Sequence, residues 1–218
     1  LGAFLAGPIS VSTALFITRM TPKPISKFFQ TVIELLASVP SIVFGVFGLG
    51  VITKGVTWFA ELLGRQTAGG ISTLSTVLVL TIMILPTITL LSMTAINAVN
   101  PDLEKNSLAL GATKMQTMFQ ITLVSAKSGI FAGVILGIGR ALGEATAVSM
   151  VAGNAGSGPS FDLFSTTRTL TSTMLLGLKE TTGMDYDIRF SVGMVLIILI
   201  ILTNLGLNWL KKKVGRFS

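Results

Sequence analysis

The sequence predicts an all-α polytopic membrane bundle, and three observations carry that prediction. Half of the 218 residues are hydrophobic, only 11% are charged, and long apolar runs separate the charges. Soluble domains carry about 25% charged residues, so this chain lacks the charge to cover a water-facing surface. At about 20 apolar residues per crossing, its length accommodates five or six helices and leaves no room for a separate catalytic domain. A single membrane domain, 1–218, is the expectation.

An ionised side chain at mid-bilayer costs about 2.5 to 3.5 kcal/mol on insertion scales, so runs with little or no charge mark the crossings. Five emerge: 1–18, about 31–52, about 73–95, about 128–152 and 190–210. The last is bounded by Arg189 and Lys211 and would rise about 31 Å, one bilayer crossing. The chain begins at Leu1 without a basic stretch or a small-residue cleavage site, so no signal peptide is read. A preceding helix is expected to be missing, which would make six spans.

Alternating the connections puts Arg19, Lys23, Lys27, Lys105, Lys114, Lys127, Lys211, Lys212, Lys213 and Arg216 on one side. Lys54, Arg65, Arg168, Lys179 and Arg189 fall on the other, while Arg140 lies inside a span. The richer side is cytoplasmic by the positive-inside rule, which places the C-terminus inside. The same rule accounts for the net charge of +7 without invoking nucleic acid.

Cysteine and histidine are both absent. Thiol nucleophiles, disulfides, thiolate or imidazole metal sites and histidine proton relays are therefore excluded. Neither a Gly-x-x-x-x-Gly-Lys-Ser/Thr loop nor a nucleophile and base pair is present. The expectation is a non-enzymatic protein that binds no cofactor or metal and draws its energy from a partner.

Several features read as structural. Pro40 and Pro86 fall within the second and third runs and favour kinks there. Trp58, Phe59, Leu62 and Leu63 suit a short interfacial helix. The outer loop, about 153–189, opens with Gly153-Asn154-Ala155-Gly156-Ser157-Gly158-Pro159. Leu170, Met174 and Leu178 recur every four residues, the spacing of a helix lying on the outer face.

Two stretches carry functional chemistry. The first is the inner loop, about 97–127, where Asp102 beside Pro101 is placed to cap a helix. Leu108, Leu110, Met115 and Phe119 are apolar and Gly111 interrupts them, so two short helices meet at a glycine corner. This loop resembles the cytoplasmic signature of ABC importer permeases: Gly111, Ile121 and Leu123 match its spacing, Lys105, Asn106 and Ser107 stand in its Glu-Ala-Ala places, and Val124 replaces its proline. Further matches run along nearly the whole chain: Pro40 to Gly48, Leu85 to Thr89, Ala109 to Thr113 and Gly139 to Glu144. Their order resembles that of high-affinity phosphate ABC transporter permeases. Glu144 to Val148, Met150 and Gly153-Asn154 are more similar to the first of the two paired subunits.

The resemblance implies a type I importer permease in the cell membrane, paired with a second permease as a heterodimer. It also implies two cytoplasmic ATP-binding cassette subunits and an extracytoplasmic phosphate-binding protein. Leu108, Ala109, Leu110, Gly111, Ala112, Thr113, Lys114 and Phe119 would then engage an ATPase.

The second stretch is the fourth span. Gly129, Gly133 and Gly137, with Gly139 and Gly143, form small-xxx-small patterns that admit another helix closely. Arg140 and Glu144 stand one helical turn apart on one face. Intramembrane charges of this kind face the bundle or a cavity, and a guanidinium offers a planar donor fork to a tetrahedral oxyanion. Arg140 and Glu144 are read as lining an anion pathway, with Glu144 holding Arg140 between cycles. An importer permease for sulfate, molybdate or an organic solute stands as the alternative, and a channel or secondary transporter comes after it.

Overall fold

The computed structural model describes residues 1–156, 161–177 and 182–215; Ser157, Gly158, Pro159, Leu178, Lys179 and Arg216, named above, lie outside them. The described residues are helical, without a strand beyond two isolated bridges. Among the described residues, five helices are long and apolar enough to cross a membrane: Gly2–Met20, Ser41–Leu62, Thr73–Asn97, Lys114–Gly143 and Met184–Lys211. The chain divides into two compact units, one of residues 1–2, 39–83 and 139–203, the other of 3–38, 84–138 and 204–218.

The second and fourth spans differ from the sequence expectation. Apolar sequence begins near 31, but residues Lys23–Ser38 form a separate amphipathic helix in which Ile33 is buried and Phe28, Phe29, Leu35 and Leu36 are exposed. Glu34 lies on this helix beside Gln30, whose amide donates to it at 2.9 Å. The second span then starts afresh at Ser41, because Pro40, with ψ 138°, is extended. Pro40 therefore separates two helices and does not kink one, as the restriction on the residue before proline favours. The same span runs unbroken to Leu62, so Trp58 and Phe59 extend it and form no separate interfacial helix. Gly70, at φ +78°, lies against the Thr53 carbonyl, a contact that any Cβ would block. That contact sets Lys54 level with the loop preceding the third span.

The fourth span begins earlier and ends earlier than the apolar run. Its 30 residues, Lys114–Gly143, measure about 45 Å against a core of about 30 Å, so its first turns, with Lys114, extend past the hydrocarbon. In the second unit it packs on the third span through the expected glycine stripe. Cβ atoms on Gly129, Gly133 and Gly137 would lie 2.5, 2.9 and 2.6 Å from Ala95, Leu91 and Ile88 respectively. Gly139 and Gly143 have no such neighbour. The third span contains Pro86, as expected. The core of this unit gathers Leu15, Ile17, Ile33, Met93, Ile96, Met118 and Ile130.

In the first unit the second span meets a short helix, Thr146–Val151, at glycine positions: a Cβ on Gly45 would lie 2.7 Å from Met150 Sδ and 2.9 Å from Ala147 Cα. The segment 161–169 is tied down by backbone bonds from Thr73 and Leu74 to Ser165 and Leu163, and by an ion pair between Arg65 and Asp162. Residues Leu170–Leu175 form a short helix capped by Thr169, where the four-residue spacing predicted one.

Candidate functional site

The Gly111 corner is built by local sequence. Asn100, not Asp102, caps the first short helix: its side chain accepts from the Asp102 N–H at 3.0 Å, with Pro101 in the first turn. Asp102 instead pairs with Lys105 at 3.0 Å on the exposed face. The helix Pro101–Ala109 ends when Gly111 adopts φ +87°. There the Gly111 N–H donates to the Leu108 carbonyl and the Ala112 N–H to that of Ser107, the paired bonds of a Schellman closure. Two residues on, Thr113 starts the next helix with a reciprocal capping box: its hydroxyl accepts from the Gln116 N–H and its own N–H donates to the Gln116 side chain. The N–H groups of Leu110, Gly111, Ala112 and Thr113 are thus all bonded within a few residues.

The second of the two predicted short helices is the beginning of the fourth span, whose Thr117–Thr122 section is wound as a π-helix. The corner presents apolar side chains to the outside: Leu110 is 90% exposed, and Leu103, Leu108, Met115 and Phe119 are exposed as well. Lys114 and Gly111 are also exposed, with no atom near a Cβ at Gly111. The residues predicted for ATPase engagement, Leu108 to Lys114 with Phe119, thus share one corner and its adjoining turns.

The C-terminal end of the fourth span carries the charged pair, and here the predicted geometry changes. The helix stops at Gly143, so Glu144 stands beyond the turn that holds Arg140. Glu144 is buried, 9% exposed, and its Oε1 accepts from the Thr146 hydroxyl at 2.8 Å and the Ala147 N–H at 3.0 Å. It caps the Thr146–Val151 helix through the Ala147 N–H. The physical reason is that free N–H groups at a helix start compete for a carboxylate. The Glu144 carbonyl accepts from Thr171 at 2.9 Å, and Thr146 meets the Ser41 hydroxyl at 3.1 Å. A cavity of about 260 Å³ lies beside the break, lined by Leu80, Leu142, Glu144, Val148, Thr171 and Leu196 among others. Arg140, half-buried, sits one residue before Ala141 on its wall.

Sequence reasoning missed a second cluster, beside the Gly111 corner. Arg19 donates to Glu104, and the Thr122 hydroxyl donates to the same carboxylate oxygen. Arg19 had been read for topology alone. Its 85-residue separation from Glu104 leaves no local pattern to find. Among the described residues no group of His, Cys, Asp and Glu is placed to hold a metal.

Apolar spans, an exposed helix corner and a broken span end define a multi-pass helical membrane component of a transport system. The chain belongs to the family described as binding-protein-dependent transport system inner membrane component, which matches residues 6–216. It is 36% identical over 98% of its length to the probable ABC transporter permease protein YqgH of Bacillus subtilis (strain 168), covering 68% of that protein. It is 31% identical over 99% of its length to the phosphate transport system permease protein PstC of Pasteurella multocida (strain Pm70), covering 73% of it. Its fold matches that of an inward-facing MetNI methionine ABC transporter with TM-score 0.66 and 19% identity, over 98% of this chain and 91% of that one. The fold is thus that of ABC importer permeases, and the protein is a multi-pass inner-membrane transport component.

Proposed function

We propose that this chain is a permease subunit of an ATP-driven phosphate importer. The observation that carries the reading is the similarity, over 99% of the chain, to a phosphate transport system permease. The complex would comprise this chain, a second permease, two ATP-binding cassette subunits and an extracytoplasmic phosphate-binding protein. The chain itself performs no covalent step.

Two features of the geometry support the division of labour. The Gly111 corner leaves Leu108, Leu110, Met115 and Phe119 exposed; burying such side chains in a groove of an ATPase is favourable at about 25 cal/mol per Å², and the corner would pass ATP-driven movement to the spans. The distribution of basic residues supports a cytoplasmic corner and a cytoplasmic C-terminus. At the other end, Arg140 supplies the permanent charge and donor fork for the anion. Glu144 shapes the surroundings: it accepts from the Ala147 N–H, caps the Thr146–Val151 helix and lines the cavity beside the break that follows Arg140's helix. Arg140 and Glu144 together line the path, the first by charge and the second by geometry.

Uptake of radiolabelled phosphate, normalised to assembled complex, tests the reading. Arg140→Gln is expected to abolish uptake, since losing one partner of a desolvated charged contact costs about 2 to 5 kcal/mol. Arg140→Lys is expected to retain a part. Near-normal uptake by an assembled Arg140→Gln complex would overturn the pathway role.

A further inference from the structure

Arg19 closes the first span, and its guanidinium reaches three acceptors. Nε donates to Glu104 Oε1 at 2.8 Å, one terminal nitrogen to the Ile96 carbonyl at 2.9 Å and the other to the Asn97 side-chain oxygen at 3.3 Å. Ile96 and Asn97 end the third span, where the unsatisfied carbonyls of a helix terminus attract a cation. The Glu104 oxygen that receives Arg19 also accepts from Thr122 at 2.9 Å, and Thr122 is fully buried in the fourth span. One guanidinium and one carboxylate therefore join the first, third and fourth spans to the helix that carries the Gly111 corner.

This pair differs from an ordinary surface contact. Arg19 and Glu104 side chains are 20% and 22% exposed, against 73% and 69% for Lys105 and Asp102. Exposed pairs contribute about 0 to 1 kcal/mol and are readily screened; a mostly buried, multiply bonded one is held more firmly. Beside it lies a cavity of about 480 Å³, lined by Arg19, Glu104, Leu108, Lys114, Met118 and Thr122 among others. Across that space the corner helix is connected by directed bonds, those of Glu104 and a 3.0 Å contact between the Ser107 and Thr117 hydroxyls. Bonds of fixed length transmit a displacement that an open cavity does not.

The geometry points to Glu104 as a positioning residue of the transport cycle: with Arg19 and Thr122 it forms the linkage that carries movement of the Gly111 corner to the ends of three spans. The inference rests on the importer reading and adds to it residues outside the Leu108–Lys114 corner and the Arg140–Glu144 stretch.

The test uses the whole complex in nanodiscs. A single cysteine at Thr94, near the end of the third span in a chain that has none, reports movement through its maleimide labelling rate with and without ATP and vanadate. Phosphate uptake per ATP hydrolysed is measured in parallel in proteoliposomes. In the parent, nucleotide is expected to change the labelling rate. Glu104→Ala and Arg19→Ala should each suppress that change and lower phosphate moved per ATP about tenfold, equivalent to about 1.4 kcal/mol. The double variant should be no worse than either single, because both break one linkage. Glu104→Gln keeps an acceptor for Arg19 and Thr122 and should retain part of the coupling. It decides the matter if the alanine variants fail to assemble. Full nucleotide response in Glu104→Ala, additive losses, full coupling in Arg19→Ala, or uptake and hydrolysis falling in proportion would overturn the linkage alone. A parent complex that does not respond to nucleotide would overturn the importer reading and the linkage with it.

Discussion

The helix that stops at Gly111 and the helix that stops at Gly143 are interrupted by different means. At Gly111 the closure is local, with bonds to Ser107 and Leu108 on one side and the Thr113–Gln116 box on the other, and the turn faces open space. At Gly143 the local cap of Glu144 on the next helix is joined by closure from distant sequence: Thr171 bonds the Glu144 carbonyl, and Ser41 and Gly45 of the second span pack against that helix. A locally closed turn can move as a body and tolerate changes of side-chain size. A turn closed by packing holds its geometry only while each neighbour keeps its volume.

The contrast can be broken most severely at Gly45. Gly45→Leu must displace Met150 and the Ala147 backbone, and overpacking of this kind costs about 3 kcal/mol or more where backbone is the obstacle. The fraction of complex surviving heating, read by fluorescence-detected size exclusion, should drop sharply. Glu144→Ala comes next: it leaves the buried Ala147 N–H without its acceptor, at about 1 to 3 kcal/mol, and the same assay should show a smaller loss.

At the local turn the costs are lower and the consequences shift from stability to coupling. Gly111→Ala forces a Cβ into φ +87°, about 1 to 2 kcal/mol. Gly111→Trp adds bulk to an exposed surface, so the membrane fold is expected to persist while ATP hydrolysis continues without matching phosphate uptake. Unchanged uptake per ATP in Gly111→Trp would contradict the docking role of the corner. The smallest change is Thr113→Ala, which removes an exposed cap worth about 1 kcal/mol. It should lower thermal survival slightly, less than either change at Gly45 or Glu144.

The same contrast explains what the sequence disclosed. Spans are legible because hydropathy is a property of each segment alone, and the Gly111 corner is legible because glycine, cap and apolar residues sit side by side. The start of the second span was misplaced although Glu34 lies in the apolar run and Pro40 follows Val39, both signals of a break. Glu144 was read as a helix-face partner of Arg140 because spacing alone does not reveal that the helix ends at Gly143. Nor does any local pattern join Arg19 to Glu104 and Thr122, which meet only when three spans are assembled.

The most direct test of the importer account is ATP-dependent accumulation of radiolabelled phosphate in proteoliposomes containing the purified complex and its binding protein, with unlabelled sulfate or phosphate as competitor. The account predicts accumulation that requires ATP, is displaced by phosphate and is indifferent to sulfate. Accumulation without ATP, or displacement by sulfate as readily as by phosphate, would contradict it.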